Sequence, residues 1–168
     1  EFAPSDGAIE WARNLCLSDK YKEHVVIYMT HSYMKCSGFC DNALIQRENY
    51  PLTKKEGNNS GQQIWEKLVS QVPNLRLVLC GHHAHGADKD GNDKYEGSIG
   101  WRADKNNAGE TVYQMLYDTQ TLGGGWEGNG GDGWIRILEF MPDGKTVKVR
   151  TYSPLFGISP VTKHLASR

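Results

Sequence analysis

One pattern occurs twice in the first half of this chain and constrains its fold more than any other feature. It is a capped amphipathic helix, a short break, an apolar strand, and a histidine directly after the strand. In the first copy Ser5 or Asp6 supplies the cap, and Ala8, Trp11, Ala12, Leu15 and Cys16 fall on one helical face. After the polar break Lys20 to Glu23, the run His24 to Thr30 reads as a buried strand ending at Thr30-His31-Ser32-Tyr33. In the second copy Ser60 and Gln63 have capping-box spacing, and Ile64, Trp65, Leu68 and Val69 make the apolar face. Val72-Pro73-Asn74 stops that helix, and Leu75 to Cys80 forms a second buried strand running into Gly81-His82-His83-Ala84-His85-Gly86. Strands that are apolar along their length and alternate with helices predict a largely parallel sheet covered on both faces. Ligands of such sheets bind at the carboxyl ends of the strands, where both histidine sites fall.

The second half reads as β structure. Residues 110–118, 134–140 and 146–152 alternate as strands, with a glycine loop over 123–133 and a turn at Pro142-Asp143-Gly144. They predict an antiparallel meander, which makes the fold class α/β (α+β). Residues 1–155 form the expected domain and 156–168 a tail. Residues 35–59 read as a long irregular loop. Cys36 and Cys40 flank Ser37-Gly38-Phe39 within it, and a disulfide or two free thiols suit that spacing better than a zinc site, which usually needs two such pairs. Cys16 and Cys80 sit in apolar runs and read as small buried hydrophobes.

Charge narrows the function classes. The 168 residues carry 19 basic and 20 acidic side chains, a formal net charge of −1, with no basic stripe, so binding to a nucleic-acid phosphate backbone is not expected. No apolar run approaches the roughly 20 residues of a membrane helix. Glu1-Phe2-Ala3-Pro4 has neither an initiator Met nor the pattern of a leader, which points to a piece of a longer chain.

The residues able to do chemistry are histidines. His24 and His164 are most simply surface groups. His82, His83 and His85 lie within four positions, bracketed by Gly81 and Gly86, and in extended backbone residues two apart face one way. Neutral imidazole is the commonest metal ligand, and His31, at the matching strand end, joins the candidate set. Two catalytic metals about 3.5–4 Å apart require a bridging anion, and no Asp-x-His or Asn-His motif precedes His31.

At this point the chain resembles the C-terminal half of a calcineurin-like metallophosphoesterase. The resemblance rests on the Glu1-Phe2-Ala3-Pro4 segment and its helix, Thr30-His31-Ser32-Tyr33, the stretch Asn59 to Val69, and Gly81-His82 with His85-Gly86. Thr111 to Leu116, Gly130 to Arg136 and Val149 to Pro154 resemble the secreted-type bacterial subgroup, so the resemblance extends over residues 1–155. It implies an αββα sandwich around a two-metal site, in which a metal-activated hydroxide attacks phosphorus in line. It also implies divalent cofactors (Mn, Fe or Zn), a phosphate-ester substrate, and an extracellular or periplasmic location. By motif match His31 is the lone histidine ligand of the second metal, and Gly-His-x-His gives one ligand to each. The family's Asp-x-His pair, bridging Asp and Asn-His lie upstream of this chain's first residue, so the resemblance implies a partner in the other half of the same domain. This chain reads Gly-His-His-Ala-His-Gly, one residue longer than the family motif, so either His82 or His83 pairs with His85.

Two further readings stand beside the phosphoesterase. One is a non-catalytic binding module on the same scaffold, using aromatic residues such as Tyr33, Phe39, Tyr50, Trp101 and Trp126. The other is a mononuclear histidine-zinc hydrolase with a nearby general-base carboxylate. A half-sandwich with open sheet edges also predicts self-association.

Overall fold

The computed structural model describes residues 2–35, 42–47, 57–83, 98–123 and 130–167. Cys36, Cys40, His85, Phe39, Tyr50 and Trp126, with the expectations attached to them, lie outside these residues. The fold is α+β. It divides into two compact units, one formed by residues up to His83 together with Ser98–Asp118, the other containing Thr119 onward.

The first unit is a four-stranded mixed sheet with helices on one face. Helix α1 (Asp6–Leu17) starts where the Ser5 hydroxyl accepts from the Ala8 amide at 3.3 Å. Helix α2 (Gly61–Lys67) carries a full capping box: the Gln63 amide donates to Ser60 Oγ, and the Ser60 amide donates to Gln63 Oε1 at 2.9 Å. A 3₁₀ turn, Val69–Gln71, follows. Strands β1 (Val26–Met29), β4 (Leu75–Cys80), β6 (Thr111–Asp118) and β5 (Ser98–Lys105) lie in the order β1-β4-β6-β5. β1, β4 and β6 are parallel, and β5 runs antiparallel to β6. Between β1 and α2, β2 (Met34–Lys35) pairs with β3 (Ala43–Leu44).

The core lies between the helices and one sheet face. Ile9, Ile64, Leu68, Val69 and Val72 pack on Leu75, Val78, Val112 and Leu116. Three expectations are corrected here. The buried stripe of α1 is turned from the one expected: Ile9 is buried, Ala12 and Cys16 lean on the core, and Trp11 is 67% exposed. Ile9 completes an i, i+3, i+7 series with Ala12 and Cys16, which is the face the sheet covers. The strand expected to be buried at 24–30 is an edge strand with one neighbour, and Met29 is 74% exposed. Residues 110–118 do not open a meander, because β6 inserts beside β4 with Val112 and Leu116 in the core. Its antiparallel partner β5 is not among the strands expected from the sequence: its apolar residues Ile99, Trp101 and Ala103 are exposed, and its covered side carries Ser98, Gly100, Arg102 and Asp104.

The register aligns one row of side chains across all four strands. Ile27, Leu77, Tyr113 and Ala103 are neighbours, as are Met29, Leu79, Met115 and Trp101. This row belongs to the face opposite Val78, Val112 and Leu116, since side chains alternate. Trp101 and Tyr113 stack there with ring centres 5.5 Å apart, each about half exposed.

In the second unit β7 (Ile135–Phe140) and β8 (Val147–Tyr152) pair antiparallel, and Asp143 Oδ1 accepts from the Lys145 and Thr146 amides in their turn. The expected tail folds back. Ser153 caps helix α3 (Pro154–Ile158), the Ser153 amide donates to Ala166 O at 2.8 Å, and Ala166 is buried. Pro at the first helical position and a serine cap are the local signals for that helix. No helix among the described residues is long and apolar enough to cross a membrane.

Candidate metal centre

The two parallel strands deliver the two histidines side by side. Beyond the ends of β1 and β4 their pairing continues: the Thr30 amide donates to Leu79 O at 3.0 Å, and the Gly81 amide donates to His31 O at 3.1 Å. The chain then reverses at once. The His83 amide donates to Gly81 O at 2.8 Å, and His82 between them has φ 67°. A hydrogen bond from i+2 to i around a positive φ is the γ-turn of the rarer, strained hand. For a non-glycine residue, left-handed backbone costs about 1–2 kcal/mol. Strain held at a histidine where ligands are expected is an observation from which function is inferred.

The imidazoles of His31 and His82 stand with ring centres 4.9 Å apart, and His83 lies edge-on to His82 at 5.2 Å. Ions of the zinc type hold an imidazole nitrogen at about 2.0–2.1 Å, so two rings on one ion bring their donor nitrogens within about 4 Å of each other. Ring centres 4.9 Å apart make His31 and His82 candidates for two donors to one ion. Among the described residues no three His, Cys, Asp or Glu side chains form a cluster suited to a metal. His31 and His82 are brought together, His83 is adjacent, and His85 lies outside the described residues. Cys80, just before the motif, is buried and its thiol is pushed up to about 12 by desolvation, so it stays a neutral core residue.

Two parts of the site were not legible in the sequence. The first is Phe2, whose ring centre lies 4.8 Å from that of His31 and 4.5 Å from that of His82. The second is a buried polar relay that starts two residues past His31. Tyr33 Oη donates to Gln114 Oε1 at 2.7 Å, and Gln114 Nε2 donates to Asp104 Oδ2 at 2.5 Å. Asp104 also accepts from Arg102 Nε and Nη2 at 2.6 and 3.0 Å, and Arg102 Nη1 donates to Asn42 O at 3.0 Å. Burial pushes the Tyr33 hydroxyl well up, so it remains a donor. The Arg102 bonds hold the Asp104 carboxyl below its ordinary range. A signal for the relay existed: Gln114 interrupts the apolar face made by Val112 and Leu116, and a polar residue on a buried face requires partners.

The γ-turn gives a direct prediction. Glycine adopts φ 67° without steric cost and alanine adopts it only at a cost, so His82→Gly is expected to be more stable than His82→Ala by about 1 kcal/mol. In a chain of this size that separates the melting temperatures by about 2–4 °C. Equal melting temperatures, read by calorimetry, would remove the argument for strain.

No family model matches the chain, and no solved structure matches it. Over 112 residues, 67% of the chain, it is 33% identical to a protein of Bacillus subtilis (strain 168), "Uncharacterized protein YvnB". The chain spans about 8% of the length of that relative.

Proposed function

We propose that this chain is the C-terminal portion of a metal-dependent phosphoesterase of the calcineurin-like type, hydrolysing phosphomonoester or phosphodiester bonds. The observation that carries the reading is the pairing of His31 and His82 at the carboxyl ends of adjacent parallel strands, with ring centres 4.9 Å apart. In this reading His31 and His82 each give one imidazole nitrogen to a divalent ion, and His83 or His85 adds another. When bound, such ions supply an activated hydroxide and positive charge beside the phosphoryl oxygens. The protein's own part is to hold neutral imidazoles at fixed spacing on the rim of a rigid sheet.

The sheet face opposite the helices, with Leu77 and Met115 buried at its centre and an apolar rim exposed, supports the architecture that goes with this chemistry. Ile27, Met29, Trp101 and Tyr113 form an exposed apolar rim on the face opposite the helices. A sheet with two apolar faces is stable when a second layer covers the free one. We assign that layer to the other half of a sandwich, contributed by the same longer protein, together with the bridging carboxylate that two metals require. Produced alone, the chain is expected to cover this face by self-association.

The test uses the chain alone and a longer form of the same protein. The 168-residue chain is expected to show no metal-dependent hydrolysis of bis(p-nitrophenyl) phosphate. The longer form is expected to hydrolyse it with Mn²⁺ or Zn²⁺ and to lose at least a hundredfold in rate on His31→Ala or His82→Ala. A longer form whose metal-dependent turnover survives both substitutions would refute the assignment.

A further inference from the structure

The segment before α1 is held in a way that its helix cap does not require. Asn59, buried just ahead of α2, donates its amide to Pro4 O at 3.1 Å. Its side-chain Nδ2 donates to Pro4 O at 3.0 Å, to Asp6 Oδ1 at 2.9 Å and to Gly57 O at 3.2 Å. Lys67 Nζ closes the group, donating to Asp6 Oδ1 at 2.6 Å and to Asn59 Oδ1 at 2.7 Å. Pro4, Asp6 and Asn59 are thereby tied together on the first unit. Ala3, directly before Pro4, is buried with φ 53°. Left-handed backbone at an alanine is uncommon and costly, and the residue ahead of a proline ordinarily adopts extended backbone. The kink has a visible consequence. It turns the chain so that Phe2 lies against both candidate ligands, tilted at 46° to the His31 ring and edge-on at 83° to the His82 ring.

We propose that Phe2 is a positioning residue of the histidine pair: aimed by the kink at Ala3 and the Asn59 clamp, its phenyl ring fixes the orientation of both imidazoles. This rests on the reading of His31 and His82 as metal ligands. An imidazole on the rim of a sheet turns about two side-chain bonds, and contacts that stop this rotation tune a ligand set. Here an aromatic ring touches both imidazoles at once, and tilted or edge-on contacts favour a defined orientation. Phenyl offers no ligand atom. Phe2 would act on the rings alone, which would have fewer arrangements to lose when they hold an ion. The left-handed backbone at Ala3, next to Phe2, and the left-handed backbone at His82 lie on the two sides of this contact, and the clamp holds Pro4, the residue after Ala3.

The test is nuclear magnetic resonance of the whole chain with labelled histidine, in metal-free buffer and then with Zn²⁺. The wild-type chain and Phe2→Tyr are expected to show cross-relaxation between ring protons of His31 and His82. Phe2→Leu, which keeps an apolar side chain at this half-buried position, is expected to keep the backbone amide spectrum and lose that cross-peak. Its Zn²⁺ affinity, measured by calorimetry, is expected to fall about tenfold, and Phe2→Tyr to restore it. A Phe2→Leu chain that keeps both the ring cross-peak and the wild-type Zn²⁺ affinity overturns the positioning role. A wild-type chain with the cross-peak, losing it in Phe2→Leu, that binds no Zn²⁺ upholds the positioning role and instead overturns the metal reading.

Discussion

Gly61→Ala is expected to destabilise the first unit by about 3–5 kcal/mol, although the position is the first residue of a helix and alanine is the best helix former. A methyl group added at Gly61 would sit 1.9 Å from Tyr33 O, 2.8 Å from Tyr33 C and 3.1 Å from Ile45 N. All three are backbone atoms, so no side chain can swing aside. The contact is also held in place: the Ile45 amide donates to Tyr33 O at 3.0 Å and the Gln62 amide donates to Ile45 O at 2.9 Å. Relief requires α2 to back away from the backbone at Tyr33, two residues past His31, which opens the contacts of Ile64 and Leu68 in the core. At about 2–4 °C per kcal/mol, the melting temperature falls by about 6–20 °C. Gly7→Ala is the control. It lies in the first turn of α1 with nothing near a built methyl, and it is expected to leave stability unchanged or slightly raised. Thermal melts of the two variants decide the matter, and a Gly61→Ala chain that melts with the wild type would show that the approach of α2 to Tyr33 is not a fixed part of the fold.

How much of this was legible in the sequence follows from how local each signal is. The capped helices, the strands after them and the histidines past the strands depend on periodicity and caps over a dozen residues, and these stand where expected. Ser60 with Gln63 makes the capping box its spacing announces. What depends on pairing over long separations was misread. Nothing near residues 110–118 says that they pair parallel with 75–80, and the meander assigned to them reflects only the strands that follow in sequence. The same limit hid β5, with Gly100 against Leu116 in a strand that exposes Ile99, Trp101 and Ala103 and turns Arg102 and Asp104 to its more covered side. At the site, His31 and His82 were legible because strand ends recur in a repeated unit. Phe2 was not, because its place is set by a left-handed alanine and by an asparagine more than fifty residues away.

Removing the centre of the buried relay is the second large effect. Gln114→Met is expected to cost about 1–3 kcal/mol, because it leaves the buried Tyr33 hydroxyl without its acceptor and takes one donor from the half-buried Asp104. Burial without a partner is what costs, so the pairing can be tested by removing both ends. Tyr33→Phe alone strands Gln114 Oε1 and is expected to cost about 1–3 kcal/mol. The double variant Tyr33→Phe, Gln114→Met leaves neither group stranded. It is expected to be more stable than the sum of the two losses by about 1 kcal/mol or more. Asp104 adds a pH signature. Its folded pKa lies below the ordinary carboxylate value, chiefly through its hydrogen bonds from Arg102, so its contribution is complete above the unfolded value near 3.9. As pH falls through the depressed folded value, the native carboxylate takes up a proton and that contribution disappears. Asp104→Asn cannot titrate, and its urea midpoint is expected to change less than that of the wild type between pH 5 and pH 3. Parallel midpoints for the two chains over that range would show that Asp104 is not held ionised by Arg102. Additive losses in the double-mutant cycle would separately show that Tyr33 and Gln114 are not partners. With the relay intact, the segment from His31 to Tyr33 is fixed at both ends, by Gly81 on the His31 carbonyl and by Gln114 on the Tyr33 hydroxyl. That is the physical reason a histidine on an exposed rim can keep a set distance from its neighbour.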